Sequence, residues 1–579
     1  MTHARLLIAL LGAASLAACA TAPQSAAPTP EAVAEPAPAQ AVDDASPFGL
    51  FLAGRTAGDQ GHLAAAASYI SRAAAAEGEP SFLKTQAFGA ALRAGDIAEA
   101  AALAPDGVDD AGGDKRLGIL VRGVEAMAEG KNKEAVALLS GPDMGYPFKM
   151  VADLLAPFAA AGAGDRVGAV ARPDAGGDPI AQFVGDLDEA QLDERTGATS
   201  AAETAYKALL ATGDESGMVG EAYGGFLERH GRRAAAAALY RQRLASNPDD
   251  AAAAAALARV THHGHAPPLP SLRQGAAAAL LIPAAGALTQ KQTSLALDYL
   301  RLALRLDPTD DEAWVLVGDI LAPADVAAAR TAYMHVPPGS DRYVSTRGKL
   351  AWTYQNAGDR DTALKLARET LTSAPASRDA AVTLANLLRG DDQYAESAAV
   401  LTPLIDRQGA QPDWRLYYLR ASAYDGAGEE TNTEADLQAA LKLAPDEPEL
   451  LNFQAYFWID RGERLPEALA MVQRAVEAEP ESGEMIDSLG WAYYRMGDFK
   501  TAVEKLESAA NLEPSIPEVI DHLGDAYWRV GRRTEAAFAW RRVLTLEPDD
   551  KLRIRVEAKL ASTLGPDAPL VPGAAASNP

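Results

Sequence analysis

Apolar and small residues along this chain form helix-length segments that Gly and Pro interrupt at a regular interval. The pattern is clearest over residues 483–548, where two copies of one unit lie end to end. Equivalent positions are 34 residues apart, which is the period of a helix–turn–helix repeat that buries its apolar face only by stacking on its neighbours. The matching residues are Leu489, Gly490, Tyr493, Ala502 and Pro514 in the first copy, and Leu523, Gly524, Tyr527, Ala536 and Pro548 in the second.

Each position in the first copy has a mechanical reason. Gly490 lies in mid-helix, where Gly costs about 1 kcal/mol, so we interpret Gly490 and Ala502 as small residues that let two helices approach closely. Tyr493 is expected to fill the space between them. Gly497 suits the left-handed end of the first helix, and Pro514 closes the second. This pattern resembles the tetratricopeptide repeat (TPR) family.

The N-terminal half keeps only the punctuation of this repeat. A Gly that precedes an Ala-rich helix recurs in steps of 33 to 35 residues, with an Ala five residues after each Gly. The glycines are Gly61, Gly95, Gly130, Gly164, Gly197 and Gly231, and the alanines are Ala66, Ala100, Ala135, Ala169, Ala202 and Ala236. We interpret this half as six degenerate repeats, of which residues 156–186 fit least well.

The phase breaks after Pro248, because the next clear closure is Pro308, 60 residues later. The excess lies around residues 261–271, a Pro-rich stretch that predicts a loop and a joint between two solenoid halves. Eight closures follow, at Pro308, Pro338, Pro375, Pro412, Pro445, Pro480, Pro514 and Pro548. The predicted fold is therefore all-α, a TPR superhelical solenoid of about fourteen helix–turn–helix repeats.

The N-terminus predicts export and lipid anchoring. Residues 1–18 have a short polar start, an apolar run and small residues, as in a secretory signal peptide. The following Leu16-Ala17-Ala18-Cys19 resembles a bacterial lipobox, which implies cleavage before Cys19 and acylation of that cysteine; an ordinary signal peptide with an incidental Cys is the alternative. By resemblance, Ala20 in place of Asp favours the outer membrane, facing the periplasm. Residues 20–46 are Pro- and Ala-rich and predict a disordered tether.

These signals divide the chain into seven segments. They are a signal peptide (1–18), the acylated Cys and linker (19–46), the degenerate N-terminal solenoid (47–250), an inserted loop region (251–275), the C-terminal TPR array (276–550), a capping helix (551–562) and a disordered tail (563–579).

Composition narrows the function classes. The formal net charge is −26, so the chain lacks the basic surface that nucleic acid requires. Aromatic residues make up only 6%, which suits stacked helical hairpins better than a thick globular core. Cys19 is the single cysteine, so its acylation would leave no thiol for disulfides or thiol chemistry.

Enzyme signatures are absent: the sequence has no P-loop, no GxGxxG after a strand, no HExxH and no GxSxG. His262, His263 and His265 could hold a transition metal, but no nearby Cys or carboxylate completes a ligand set, and an exposed polar loop is the alternative. We predict no enzymatic activity, no catalytic residue, no bound metal, no cofactor and no small-molecule substrate.

The resemblance to TPR proteins implies that the first helix of each repeat lines a concave groove. Counting from the conserved-pattern Gly, the residues expected in a partner-binding groove are Asn452, Tyr456, Glu484, Asp487, Trp491, Tyr494, Asp521, Asp525, Trp528 and Arg529. Aromatic rings between carboxylates could grip an extended peptide or a partner helix. For Trp491 and Trp528, packing between neighbouring repeats is an equal alternative. Phe453, Ser488 and His522 stand where some TPR domains use Asn to clamp a C-terminal carboxylate, so that mode is disfavoured.

A basic cluster near the C-terminus has two interpretations. It could dock an acidic partner or anionic head groups, or it could be a solvated helix face at the end of a solenoid. Its members are Arg529, Arg532, Arg533, Arg541, Arg542, Arg553 and Arg555.

The leading functional hypothesis is a lipid-anchored periplasmic scaffold that mediates protein–protein interactions. Residues 452–542 also resemble a group of bacterial TPR lipoproteins, some of which act as adaptors for carboxyl-terminal processing proteases. The alternative is an assembly factor for an envelope machine, such as a pilus, secretion or exopolysaccharide export system. In either case the expected partners are envelope proteins or extended peptides, and the membrane through Cys19.

Overall fold

The computed structural model describes residues 46–75, 81–105, 113–171, 179–212, 217–247, 250–409 and 412–561. In these ranges the chain forms thirty helices and no strand. The residues fall into two compact units, 46–353 and 354–561, and the division lies inside one helix, α18 (Tyr343–Asn356). The predicted Pro-rich loop lies elsewhere, between α13 and α14. Cys19, the tether up to residue 45 and the tail after residue 561 lie outside the described residues.

The helices of the first unit that precede α18 are α1 (Pro47–Asp59), α2 (Leu63–Ala74), α3 (Ser81–Ala94), α4 (Ile97–Leu103), α5 (Gly113–Ala128), α6 (Asn132–Leu139), α7 (Lys149–Ala163), α8 (Arg166–Ala169), α9 (Pro179–Thr196), α10 (Thr199–Thr212), α11 (Met218–Arg229), α12 (Arg233–Ser246), α13 (Ala251–Thr261), α14 (Leu272–Thr289), α15 (Thr293–Leu306), α16 (Asp311–Leu321) and α17 (Val326–Met334).

The helices of the second unit that follow α18 are α19 (Arg360–Ser373), α20 (Arg378–Gly390), α21 (Tyr394–Asp406), α22 (Trp414–Gly426), α23 (Glu430–Leu443), α24 (Pro448–Arg461), α25 (Leu465–Ala478), α26 (Gly483–Arg495), α27 (Phe499–Leu512), α28 (Pro517–Arg529), α29 (Arg533–Thr545) and α30 (Asp550–Ala561).

Consecutive helices form pairs, and the turn inside a pair is where the glycine signal lies. All six glycines of the N-terminal series have positive φ, from 75° to 93°, and the second helix of each pair begins two residues later. Gly497 and Gly531 have φ of 88° and 81° and do the same in the second unit. The described residues contain fourteen such pairs, six before α13 and eight between α13 and α30. The predicted TPR-like solenoid is confirmed.

The two helices of a repeat touch where the first helix has a small residue. A Cβ added to Gly490 would lie 2.6 Å from Cγ of Leu506 and 3.2 Å from the Leu506 backbone nitrogen, and one added to Gly524 would lie 2.5 Å from Nε1 of Trp540. Ala502, on the second helix, is fully buried. Glycine is therefore required by the closeness of the two helices, as predicted.

The expectation for Tyr493 and Tyr527 needs correction. Both are only partly buried and pack at the margin of the core, and the Tyr527 hydroxyl donates to Glu507 at 2.8 Å. Leu506 and Trp540 fill the space opposite the glycines instead, because the second helix aims one large side chain at that gap.

In the first unit, the α14–α15 hairpin lies across the first helices of the preceding repeats. Helix α14 packs against α7 and α9, and α15 packs against α3 and α5. Gly275 of α14 faces the Phe158 ring so closely that a Cβ there would overlap the ring. This hairpin covers the face that in TPR proteins takes ligands.

Basic residues of the hairpin tie it to this face. Arg305 donates two hydrogen bonds of 2.7 Å to the carboxylate of Glu125. Arg301 Nε donates to the Arg93 carbonyl at 3.1 Å, and Arg273 donates to the Ala128 carbonyl at 3.0 Å. The hairpin therefore satisfies carbonyls at the ends of α3 and α5 as well as a side chain between them.

Among the described residues, no helix has both the length and the apolar character needed to cross a bilayer.

We expect Gly490→Ala to destabilise the second unit by about 1–3 kcal/mol through overpacking against Leu506, although Ala favours helix by about 1 kcal/mol. Because stacked repeats unfold in parts, hydrogen exchange of α26 and α27 should accompany the thermal melt. Gly390→Ala is the matched control, since its Cβ would meet only Nε2 of Gln355 at an ordinary 3.6 Å. Equal exchange in the two variants would contradict close packing at Gly490.

Candidate partner-binding surface

The predicted groove residues come from three successive first helices of the second unit. Asn452 and Tyr456 lie on α24, the four residues from Glu484 to Tyr494 on α26, and the last four on α28. Helices α24 and α28 begin with Pro at an early position, and α26 begins with Ser482, whose hydroxyl accepts from the Met485 backbone N–H. These starts set the same face of each helix in register.

Trp491 is the centre of an aromatic stack. Its ring lies 4.5 Å from the ring centre of Tyr494 and 4.1 Å from that of His522, at interplanar angles of 8° and 13°. Only 5% of Trp491 is exposed. Of the two interpretations left open by the sequence, the structure therefore places Trp491 in the packing between repeats.

Trp528 has the same position in the next repeat and is also buried. It is 3% exposed, its ring centre is 5.6 Å from that of Trp540, and the Arg533 guanidinium lies 3.7 Å above it. Neither tryptophan presents a broad surface to a partner.

A buried ion pair links α26 to α28 beside this stack. Asp487 Oδ2 lies 2.9 Å from Nδ1 of His522, and both side chains are 8% exposed. Burial alone would lower the pKa of His522, but the carboxylate of Asp487, helped by Asp521 and Asp525, raises it. The histidine therefore replaces the Asn of a carboxylate clamp with a group that holds an acidic neighbour.

The last repeat is closed by α30, whose basic residues the groove prediction did not include. Lys559 lies 2.8 Å from Asp521 and 2.6 Å from Asp525, and Arg555 donates to Asp521 at 3.0 Å. Lys559 and Asp521 are 9% and 2% exposed. Burial raises the pKa of Asp525, and Lys559 opposes that shift. Arg555 and Lys559 come 34 residues after Asp521 and Asp525, so the repeat period itself identifies them as groove residues.

The groove residues that keep exposed surface are few. Glu484 is exposed, and Tyr456, Asp525 and Arg529 are partly exposed, although Asp525 is held by Lys559 and Arg529 lies over Phe499 at 4.4 Å. The other predicted groove residues are buried: Asn452, Asp487, Trp491, Tyr494, Asp521 and Trp528. Contact between these ten residues and a partner stays a prediction.

The basic cluster is used within the chain. Arg532 pairs with Glu507 at 2.7 Å, Arg542 donates to the Pro514 carbonyl at 2.8 Å, and Arg553 pairs with Asp550 at 2.5 Å. Arg541 lies 6.0 Å from the Phe538 ring centre. These contacts favour a structural helix face over a docking site for anions.

The histidine loop contains one polar contact. His263 Nδ1 lies 3.1 Å from a guanidinium nitrogen of Arg233, a cation that would oppose a metal ion. Within the described ranges, no group of three or more His, Cys, Asp or Glu is arranged to hold a metal.

Comparison with known proteins agrees with this fold. Residues 385–549 match the tetratricopeptide repeat family. The matched stretch contains all ten predicted groove residues. TPR folds in general bind peptides or proteins, so the coarse role of the second unit is a protein-interaction scaffold.

Individual relatives cover the chain unevenly. TPR repeat-containing protein PA4667 of Pseudomonas aeruginosa is 27% identical over 182 residues, which are 31% of this chain and 30% of that protein. Among solved structures, the APC/C hetero-tetramer Cut9–Hcn1 covers 91% of this chain and 98% of its own at 14% identity, with a TM-score of 0.37. Yeast Tom70 covers 89% and 95% at 14% identity, with a TM-score of 0.32.

We expect Lys559→Ala to destabilise the last repeat by about 3–5 kcal/mol, because Asp521 and Asp525 lose their shared buried cation. Increased hydrogen exchange in α28 and α29 would measure this. Lys551→Ala on the same helix is the control, since Lys551 is exposed. If both variants exchange like the parent protein, the buried network does not hold α30 in place.

Proposed function

We propose that this protein is a lipid-anchored periplasmic scaffold that binds envelope proteins along the first helices of its C-terminal repeats. The lipobox-like Leu16-Ala17-Ala18-Cys19 supports the anchor, and the Pro- and Ala-rich stretch after it supports a tether that holds the repeats away from the bilayer. The coarse role, a TPR scaffold, is the part that the family match and the fold support.

One observation carries the placement of the docking surface. In the first unit, the α14–α15 hairpin lies on the first-helix face, whereas in the second unit α24 and α26 present Tyr456 and Glu484 with free surface on the equivalent face. A surface that no other helix covers is the one that a partner can use.

Within this role we propose an adaptor for a carboxyl-terminal processing protease. The support is the resemblance of residues 452–542 to bacterial TPR lipoproteins, some of which have that role. An envelope-machine assembly factor would use the same scaffold, and the identity of the bound protein separates the two.

Photo-crosslinking in living cells tests the docking surface. A photoreactive residue at position 456 or 484 should give covalent adducts with a periplasmic serine protease, because both positions keep free surface on the first-helix face. The control is position 504, an exposed residue on the second helix α27. Adducts with a secretion or export component would replace the adaptor by the assembly role, and identical patterns from all three positions would overturn the docking surface.

We expect Cys19→Ala to move the protein from the membrane to the soluble periplasmic fraction, because the acyl chains that give stable anchoring would be absent. Ala20→Asp is the control, since it leaves the cysteine for acylation and should still sediment with membranes. Fractionation with an antibody to the folded repeats measures both. If Cys19→Ala still sediments with the outer membrane, the protein is not anchored in this way.

A further inference from the structure

Three glutamates occupy the same repeat position on α24, α26 and α28. Glu449, Glu484 and Glu518 are separated by 35 and 34 residues and lie in the first turns of their helices. We name them the glutamate column. A carboxylate near a helix N-terminus is favourable in itself, so the column alone does not identify a ligand.

The column carries charge that the described residues do not neutralise. None of its three carboxylates makes an ion pair with a described Lys or Arg, whereas Asp521, on the same face, is held by two cations. Desolvation, followed by the charges of Glu449, Asp487 and Glu513, raises the pKa of Glu484. The face therefore concentrates negative charge in surroundings that solvate it poorly.

Unpartnered acceptor atoms lie one helical turn below the column. Asn452 is 6% exposed, its Oδ1 has no hydrogen-bond partner, and its Nδ2 lies 3.5 Å from Oε1 of Glu484. Asp487 is also 6% exposed, and its Oδ1 is unpartnered while Oδ2 holds His522. Each follows its column glutamate by three residues, so it shares that helix face. Both free atoms accept hydrogen bonds, so a matching ligand must bring donors.

Aromatic rings line the same region. Tyr418 and Tyr456 are partly exposed, and they occupy groove positions of two adjacent repeats. Desolvation, then the charges of Glu449 and Glu484, raises the pKa of Tyr418 to about 12, which places its hydroxyl beside the column. Tyrosine faces next to carboxylates attract ammonium and guanidinium groups.

The chain itself shows which chemistry this face accepts. At the last repeat, Arg555 and Lys559 of α30 bind Asp521 and Asp525. Asn452 and Asp487 have the repeat position of Asp521, without a cation from the next helix. Helix α30 is therefore an internal example of a basic segment lying on this face.

We propose that the glutamate column binds an extended Lys- and Arg-rich segment of a partner protein, with donors of that segment satisfying Oδ1 of Asn452 and of Asp487. This inference rests on the proposed scaffold function and adds the chemistry of the bound segment. Charge complementarity would also speed association and make it dependent on salt.

Fluorescence anisotropy with the purified full mature chain tests the proposal. The probe is a labelled peptide of roughly 12 residues, about 40 Å when extended, with Arg alternating with Ser. The comparison peptide has Gln in place of each Arg. We expect the Arg peptide to bind at low salt and the Gln peptide to bind at least about tenfold more weakly, because charge pairs dominate the contact.

Matched charge variants separate the column from the overall negative charge. The triple variant E449Q/E484Q/E518Q should weaken binding of the Arg peptide at least about tenfold. The control variant E477Q/E504Q/E557Q removes the same charge from exposed positions on α25, α27 and α30, and it should bind like the parent chain. Melting curves of both variants exclude loss of folding as the cause.

Each other outcome overturns the inference. Equal weakening in both triple variants would assign binding to general electrostatics, and equal binding of the two peptides would show that basic residues are not recognised. Displacement of the Arg peptide by CaCl2, but not by NaCl of equal ionic strength, would assign the column to a divalent cation. Crosslinked partners in cells without peptide binding would leave the scaffold function in place and remove only the basic ligand.

Discussion

Every other property of this molecule depends on one contact inside each repeat, between a small residue of the first helix and a large side chain of the second. The large residue follows 15 or 16 positions after the glycine. The observed pairs are Gly224 with Tyr240, Gly318 with Tyr333, Gly490 with Leu506, and Gly524 with Trp540. Because one such contact locks a hairpin, a chain with only 6% aromatic residues can still bury a continuous core. The opposite face of each first helix is then free to vary, and on that face the two units differ.

Much of this fold could be predicted from the spacing of Gly and Pro. A glycine with positive φ tolerates a backbone that other residues avoid, so Gly61 and its five successors locate their turns even where the rest of the repeat pattern is lost. What covers each face could not be predicted, because it depends on contacts between distant segments. The pairing of Arg305 with Glu125, 180 residues apart, has no local signal. Trp491 looks like a binding residue in a linear pattern, and only the neighbouring His522 and Tyr494 show that it is covered.

The electrostatics of the second unit follow from where the stack ends. An internal repeat is followed by another first helix, whereas the last repeat is followed by α30, which supplies Arg555 and Lys559 to the buried carboxylates of α28. Removing a buried charge partner costs far more than a surface pair contributes, so this end is held firmly. The same face two repeats earlier has carboxylates without that compensation. The stable end and the acidic face therefore use one structural position with opposite outcomes.

The hairpin of the first unit changes how that unit responds to other molecules. Since α14–α15 belongs to the same chain as the helices it covers, its contact is intramolecular, and tethered segments act at effective concentrations in the millimolar range. A soluble competitor with the same intrinsic affinity would have to exceed that concentration to displace it. The two units therefore have different thresholds for occupancy: the covered face ignores dilute ligands, and the second unit can respond to partners at the concentrations at which they occur.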